Sequence, residues 1–125
     1  MIFGVGIDLI EVSRIARQVA SGPRFLDRIY TEKEIAYCEG KKNKVQNYAA
    51  RFAAKEAFLK SIGMGWQKGL AFKDIEVVNN PLGKPELVLS GKSLELAEKH
   101  HITGIHVSLT HLKDVAGAVV VLETD

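Results

Sequence analysis

The chain has 125 residues, 46% of them apolar and 26% charged, with a net charge of +2. This is the size and balance of one globular domain, 1–125, with a modest core, and the charge is too small to point to nucleic acid. The single cysteine, Cys38, rules out an internal disulfide. No apolar stretch approaches the roughly 18 residues a membrane span needs, and the opening MIFGVGIDLIEV carries neither a basic leader nor a small-residue cleavage site, so the cytoplasm is the expected compartment.

Residues 2–10 read as a strand that is apolar on both faces and therefore central or buried. Alternation puts Gly4, Gly6 and Asp8 on one face and Val5, Ile7 and Leu9 on the other. The glycines leave room for something to approach beside Asp8. Residues 12–20 then switch to helical period, with Val12, Ile15, Ala16 and Val19 in one stripe. Ser21-Gly22-Pro23 breaks that helix, and a short one follows around Arg24–Ile29. Thr31-x-x-Glu34 is a capping box, so another helix starts there and runs to about Cys38.

After a basic loop, a long helix is predicted from about Lys44 to Ile62, ending at Gly63. At 100° per residue, Val45, Ala49, Phe52, Ala53 and Leu59 fall within about 60° of Glu56, which is thus central on an apolar face. Lys60 is one turn further on; Lys55 points about 100° away and is solvated or structural. Gly63-Met64-Gly65 and Gly69 read as a flexible link. Phe72–Val78 and Glu86–Ser90 read as strands joined by the turn Asn79–Pro85, followed by a helix over Ser93–His100. Gly104–His111 and Val115–Glu123 are two more strands joined by a tight turn. The fold class is α+β: N-terminal helices and one long helix packed on a mostly antiparallel sheet.

Asp8 and Glu56 are carboxylates in apolar elements, which is costly unless a cation meets them. Two protein carboxylates are too few for calcium but suit magnesium, which takes its other oxygens from water and substrate phosphate. Lys60 could serve a phosphate as a point charge. The structural alternative is a capping Asp8 and a Glu56–Lys60 ion pair at i, i+4. His106, Ser108 and Thr110 share one strand face that could meet phosphate or ribose, or could be a half-solvated sheet face; Val107, Leu109 and His111 take the other face. Arg14, Arg17, Arg24 and Arg28, with Phe25 among them, suit a protein interface or an anionic partner, or are a solvated helical surface; a partner there would be acidic.

Together these segments resemble the holo-acyl-carrier-protein synthases, a family of 4′-phosphopantetheinyl transferases. Gly4-Val5-Gly6-Ile7-Asp8-Leu9-Ile10-Glu11 looks like the family's opening motif and Arg51-Phe52-Ala53-Ala54-Lys55-Glu56-Ala57-Phe58 like its second. The turn Gly83-Lys84-Pro85 and His106-Val107-Ser108-Leu109-Thr110-His111 complete the set. The resemblance implies transfer of phosphopantetheine from coenzyme A to a serine of apo-acyl carrier protein in fatty acid biosynthesis, dependent on magnesium, by a homotrimer with sites between subunits. It makes Asp8 and Glu56 the magnesium ligands and sets Lys60 against the coenzyme A phosphates. The attacking serine needs a base, a role read for Glu56, directly or through a magnesium-bound water. Lys42, Arg51, His106 and Thr110 would surround the 3′-phosphate and ribose, and Leu82–Pro85, with Gly83 and Lys84, would border the adenine. Arg14, Arg24, Phe25 and Arg28 would dock an acidic carrier protein. Arg51, pointing away from Glu56, would act on a neighbour's coenzyme A. The competing readings are a non-catalytic adaptor for an acidic carrier protein and a magnesium-dependent nucleotide phosphatase; the first needs no buried acids and the second no arginine surface.

Overall fold

A computed structural model of the chain describes residues 1–63 and 70–125. Of the predicted glycine link, Gly63 is described, at φ 79°, and residues 64–69 lie outside the described residues. In chain order the elements are β1 (Ile2–Glu11), α1 (Val12–Ala20), α2 (Pro23–Ile29), α3 (Glu32–Glu39), α4 (Lys44–Ser61), β2 (Ile75–Asn79), β3 (Pro85–Leu89), α5 (Gly91–Lys99), β4 (Ile102–His111) and β5 (Val115–Thr124). A short 3₁₀ turn, Phe72–Asp74, occupies the start of the stretch predicted as strand.

The expected single sheet is instead two: β1, β5 and β4 form an antiparallel sheet in that order, and β2 pairs with β3 in a separate hairpin. Helix α4 crosses the inner face of the three-stranded sheet. Ala49, Ala53, Ala54, Ala57 and Phe58 of α4 are buried there, as are Ala116, Ala118, Val120 and Leu122 of β5. Small residues on both surfaces let the helix lie close to the sheet.

Strand β1 is not central. It forms the edge of its sheet, and Val5, Ile7 and Leu9 are 58%, 64% and 70% exposed. An unbroken apolar run reads the same whether its second face is covered by its own chain or by another molecule. In register across the sheet, Val5, Val121 and His106 form one row, Ile7, Val119 and Ser108 the next, and Leu9, Gly117 and Thr110 a third. This outer face is therefore apolar on β1 and polar on β4.

The capping box forms as expected: the Glu34 amide donates to Thr31 Oγ1, and the Thr31 amide donates to Glu34 Oε1. Glu34 also does more than cap. Lys55, fully buried, donates from Nζ to Glu34 Oε1 at 2.8 Å and to the carbonyls of Phe72 and Ile75, while the Val77 amide donates to Glu34 Oε2. Burial drives the Lys55 ammonium toward losing its proton, and the Glu34 carboxylate opposes that. Of the two readings of Lys55, the structural one holds: the pair pins β2 to α3 and α4.

Candidate active site

Helix α4 comes closer to β1 than any side chain on the facing strand positions would permit. A Cβ on Gly6 would lie 1.9 Å from the Ala57 carbonyl oxygen, and one on Gly4 would lie 1.9 Å from that of Ser61. The glycine face of β1 thus receives the α4 backbone, and Asp8, next on that face, comes beside the helix's polar side chains. Lys60 Nζ donates to Asp8 Oδ1 and to the Ile7 carbonyl, each at 3.0 Å. The lysine pairs with Asp8, rather than with Glu56 one turn back.

Glu56 is half-buried. Burial first, and then the negative charge of Asp8, hold its carboxyl above the ordinary carboxylate range, against the pull of Lys60 and Arg14. Asp8 and Glu56, whose charges oppose each other at a partly desolvated spot, are the carboxylates here that could hold a cation. Among the described residues no group of three or more His, Cys, Asp or Glu side chains assembles a metal site. The donor set is therefore two carboxylates, which fits a magnesium ion that keeps water or phosphate as its remaining ligands.

A second group of residues gathers on the other side of α4, because Arg51 points about 140° from Glu56 at 100° per residue. Arg51 is 3% exposed. Its guanidinium lies 4.0 Å from the Tyr37 ring centroid and donates to Asn79 Oδ1 at 2.7 Å. Arg51 Nε is buried without a hydrogen-bond partner, and among the described residues no carboxylate pairs with Arg51. A buried guanidinium with no carboxylate beside it is a group that could receive an anion. A cleft of about 210 Å³ opens beside it, lined by Tyr37, Arg51, Asn79, Gly83, Pro85 and His111 among others. Gly83, at φ 88°, makes the turn possible, and the Asn80 side chain accepts from the Leu82 and Lys84 amides to hold its shape.

The structure thus joins Arg51 with Gly83 and Pro85. Lys84 sits in the same turn with its side chain exposed, and Lys42 is exposed in the turn between α3 and α4. His106 and Thr110 join neither group within one chain. They lie on the outer sheet face, where His106 Nε2 meets Glu123 Oε1 at 2.5 Å and Thr110 borders a shallow apolar depression with Ile7, Leu9 and Ser108. His111, on the opposite face of the same strand, is the histidine that lines the Arg51 cleft. Strand alternation separated the two histidines, but only the folded chain shows which one meets Arg51. Tyr37 and Asn79 gave no signal beyond a helix and a turn.

The arginine surface adjoins the first group. Phe25 stacks on Phe52, one turn before Glu56, with ring centroids 6.3 Å apart. It separates two hollows, one of about 130 Å³ lined by Arg14, Arg17 and Gln18 and one of about 460 Å³ lined by Arg24 and Arg28. Arg14, close enough to act on the Glu56 carboxyl, links this surface to the carboxylate pair.

Residues 4–120 match the profile of the 4′-phosphopantetheinyl transferase superfamily. The chain is 50% identical over 124 residues to the holo-(acyl-carrier-protein) synthase of Syntrophus aciditrophicus, covering 98% of this chain and 97% of that protein. It is also 50% identical to that of Geobacter sulfurreducens, covering 98% of each. Its fold is similar to the crystal structure of the Neisseria meningitidis holo-(acyl-carrier-protein) synthase, with a TM-score of 0.89, 35% identity and coverage of 99% of this chain and 100% of that one. The Bacillus anthracis synthase, solved in complex with CoA (3′,5′-ADP), matches with a TM-score of 0.83 and 40% identity over 100% of this chain and 99% of that one. From its two motifs, its α+β fold and these relatives, the chain belongs to the holo-acyl-carrier-protein synthase family of the 4′-phosphopantetheinyl transferase superfamily.

Proposed function

We propose that this enzyme transfers 4′-phosphopantetheine from coenzyme A to a serine of an acidic apo-acyl carrier protein, releasing adenosine 3′,5′-bisphosphate. The observation that carries the reading is the close crossing of α4 on β1, which brings Asp8 and Lys60 into contact and adds the charge of Asp8 to the burial of Glu56. In the reaction the serine oxygen attacks the β-phosphorus of a pyrophosphate, the bond to the leaving phosphate breaks, and the serine proton must go to a base. Asp8 and Glu56 would hold magnesium, which when bound supplies positive charge to offset that of the pyrophosphate oxygens. Lys60 adds a second positive charge on the same side. Glu56 is the carboxylate the Lys60 ion pair leaves open, and it would accept the serine proton directly or through water.

The nucleotide end of coenzyme A belongs with Arg51, His111 and the Gly83–Pro85 turn. In one chain α4 stands between this cleft and the carboxylates, so a complete site needs a second copy. The exposed Val5, Ile7 and Leu9 face supplies the contact for such an assembly, a homotrimer in this reading. His106 and Thr110 lie on that sheet face and are candidates for a neighbour's coenzyme A. The carrier protein's acidic surface meets Arg14, Arg24 and Arg28 around Phe25.

The test is the intact mass of an apo-acyl carrier protein after incubation with this protein, coenzyme A and magnesium. A phosphopantetheine-sized gain, lost with chelator, supports the transferase. Unmodified carrier protein that nonetheless binds tightly would support the adaptor reading, and coenzyme A breakdown without modification the phosphatase.

A further inference from the structure

The side-chain amide of Asn79 makes two hydrogen bonds of opposite sense. Its Oδ1 accepts from the Arg51 guanidinium at 2.7 Å, and its Nδ2 donates to the Gly83 carbonyl at 2.9 Å. Each bond fixes which end of the amide carries oxygen. Asparagine stands at the last residue of β2, paired with Pro85 across the hairpin, so its amide bridges the helix and the tip of the turn.

The need for such a bridge follows from the surroundings. The turn is wired within itself: the Gly83 amide donates to the Asn80 carbonyl and the Asn80 amide to the Lys84 carbonyl, each at 2.8 Å. These bonds set the turn's shape; the Lys55–Glu34 pair holds β2 to α3 and α4 as far as Val77, and beyond it the turn itself needs its own tie to α4. Arg51 has a buried, unpartnered Nε, and its guanidinium carbon lies 4.0 Å from the Tyr37 ring centroid, a contact that does not set which way its N–H groups point. Asn79 sets both at once. An aspartate would accept from Arg51 but repel the Gly83 carbonyl, and would neutralise the guanidinium; an alanine would make neither bond.

We propose that Asn79 is a positioning residue that ties the Gly83 turn to Arg51, so that the guanidinium and the turn meet the anionic nucleotide end of coenzyme A as one preformed unit. The inference rests on the transferase reading for the identity of that ligand. It assigns Asn79 no contact with the reacting atoms; its effect passes through Arg51.

The experiment compares wild type with Asn79→Ala, Asn79→Asp, Arg51→Ala and the Arg51→Ala/Asn79→Ala double variant. Steady-state transfer is one readout. Calorimetric binding of adenosine 3′,5′-bisphosphate and of adenosine 5′-monophosphate is the other, and needs no transfer. Loss of one hydrogen bond that orients a charged group is expected to raise the coenzyme A KM of Asn79→Ala about tenfold, with kcat moving far less. Bisphosphate affinity should fall by a similar factor and monophosphate affinity much less. Asn79→Asp, which keeps the fold's contact to Arg51, should bind the bisphosphate worse still. In the Arg51→Ala background, Asn79→Ala should add almost nothing, because residues acting through one another are not additive.

An Asn79→Ala protein with wild-type KM and bisphosphate affinity overturns the inference while leaving the transferase intact. So does an effect of equal size with and without Arg51, or Asn79→Asp binding the bisphosphate as wild type does. A wild type that neither transfers nor binds the bisphosphate overturns the transferase reading itself, and the inference with it.

Discussion

Gly6→Ala is the smallest change that should take the carboxylate pair apart. The added Cβ would stand 1.9 Å from the Ala57 carbonyl oxygen and 2.7 Å from the Ser61 amide nitrogen, both backbone atoms of α4 that no rotamer change can move. Restoring an ordinary contact of about 3.3 Å needs a retreat of roughly 1.4 Å by helix or strand. Overpacking of this kind costs about 1–3 kcal/mol, which for a chain of this length is a fall in Tm of about 3–15 °C. The same retreat draws Glu56 and Lys60 away from Asp8, and a misplacement of about 1 Å at a reacting centre can cost about 100-fold in rate. Transfer should therefore drop about 100-fold at a temperature where the variant is still folded by circular dichroism. Gly40→Ala is the control, since a Cβ there would meet only two carbonyl oxygens at 3.6 and 3.7 Å. If Gly6→Ala keeps wild-type Tm and transfer, the close crossing of α4 on β1 does not build the site.

Glu56→Gln should abolish magnesium-dependent transfer yet slightly stabilise the metal-free protein, the gain kept small by water screening at this half-buried site. The sign follows from the raised carboxyl: below the unfolded carboxylate range both states are protonated and there is no cost, and the cost appears as pH rises through the folded value. The Tm difference between Glu56→Gln and wild type should accordingly vanish in acid, grow toward neutral pH and shrink when magnesium is added; a difference independent of pH and magnesium refutes this. Lys55→Met should cost about 3–5 kcal/mol because it strands the buried Glu34 carboxylate, and Lys55→Met with Glu34→Gln should recover part of that in urea unfolding. Arg24→Glu with Arg28→Glu should raise the KM for carrier protein and flatten its dependence on salt, with the KM for coenzyme A unchanged.

Much of the fold and of the candidate site could be read along the chain, because those signals are local. Glu56 declared itself by standing on an apolar stripe, Thr31 and Glu34 by their capping spacing, and Gly83 by the turn around it. What stayed hidden depends on elements distant in sequence. Lys55 meets Glu34 across α3, 21 residues away, so helix angle alone could not separate a buried pair from a solvated lysine. Gly4 and Gly6 signalled a close approach, but not that the visitor was the α4 backbone. Strand β1 read as buried because Val5, Ile7 and Leu9 are apolar, and within one chain that face is open. His111 entered the site because β4 ends beside Arg51, which no pattern within β4 reveals.

In the proposed transferase the carboxylates and the Arg51 cleft act together only when two copies meet. Mixing subunits tests this most directly. Asp8→Ala removes one half of the site and Arg51→Ala the other, so at limiting coenzyme A each homo-oligomer should transfer at a small fraction of the wild-type rate. Unfolded together at equal amounts and refolded, random assembly into a closed ring pairs an intact half with an intact neighbouring half at about a quarter of the interfaces. Transfer should return to about a quarter of the wild-type rate. Mixed oligomers, verified by native mass spectrometry, that recover no transfer at all would contradict the shared site.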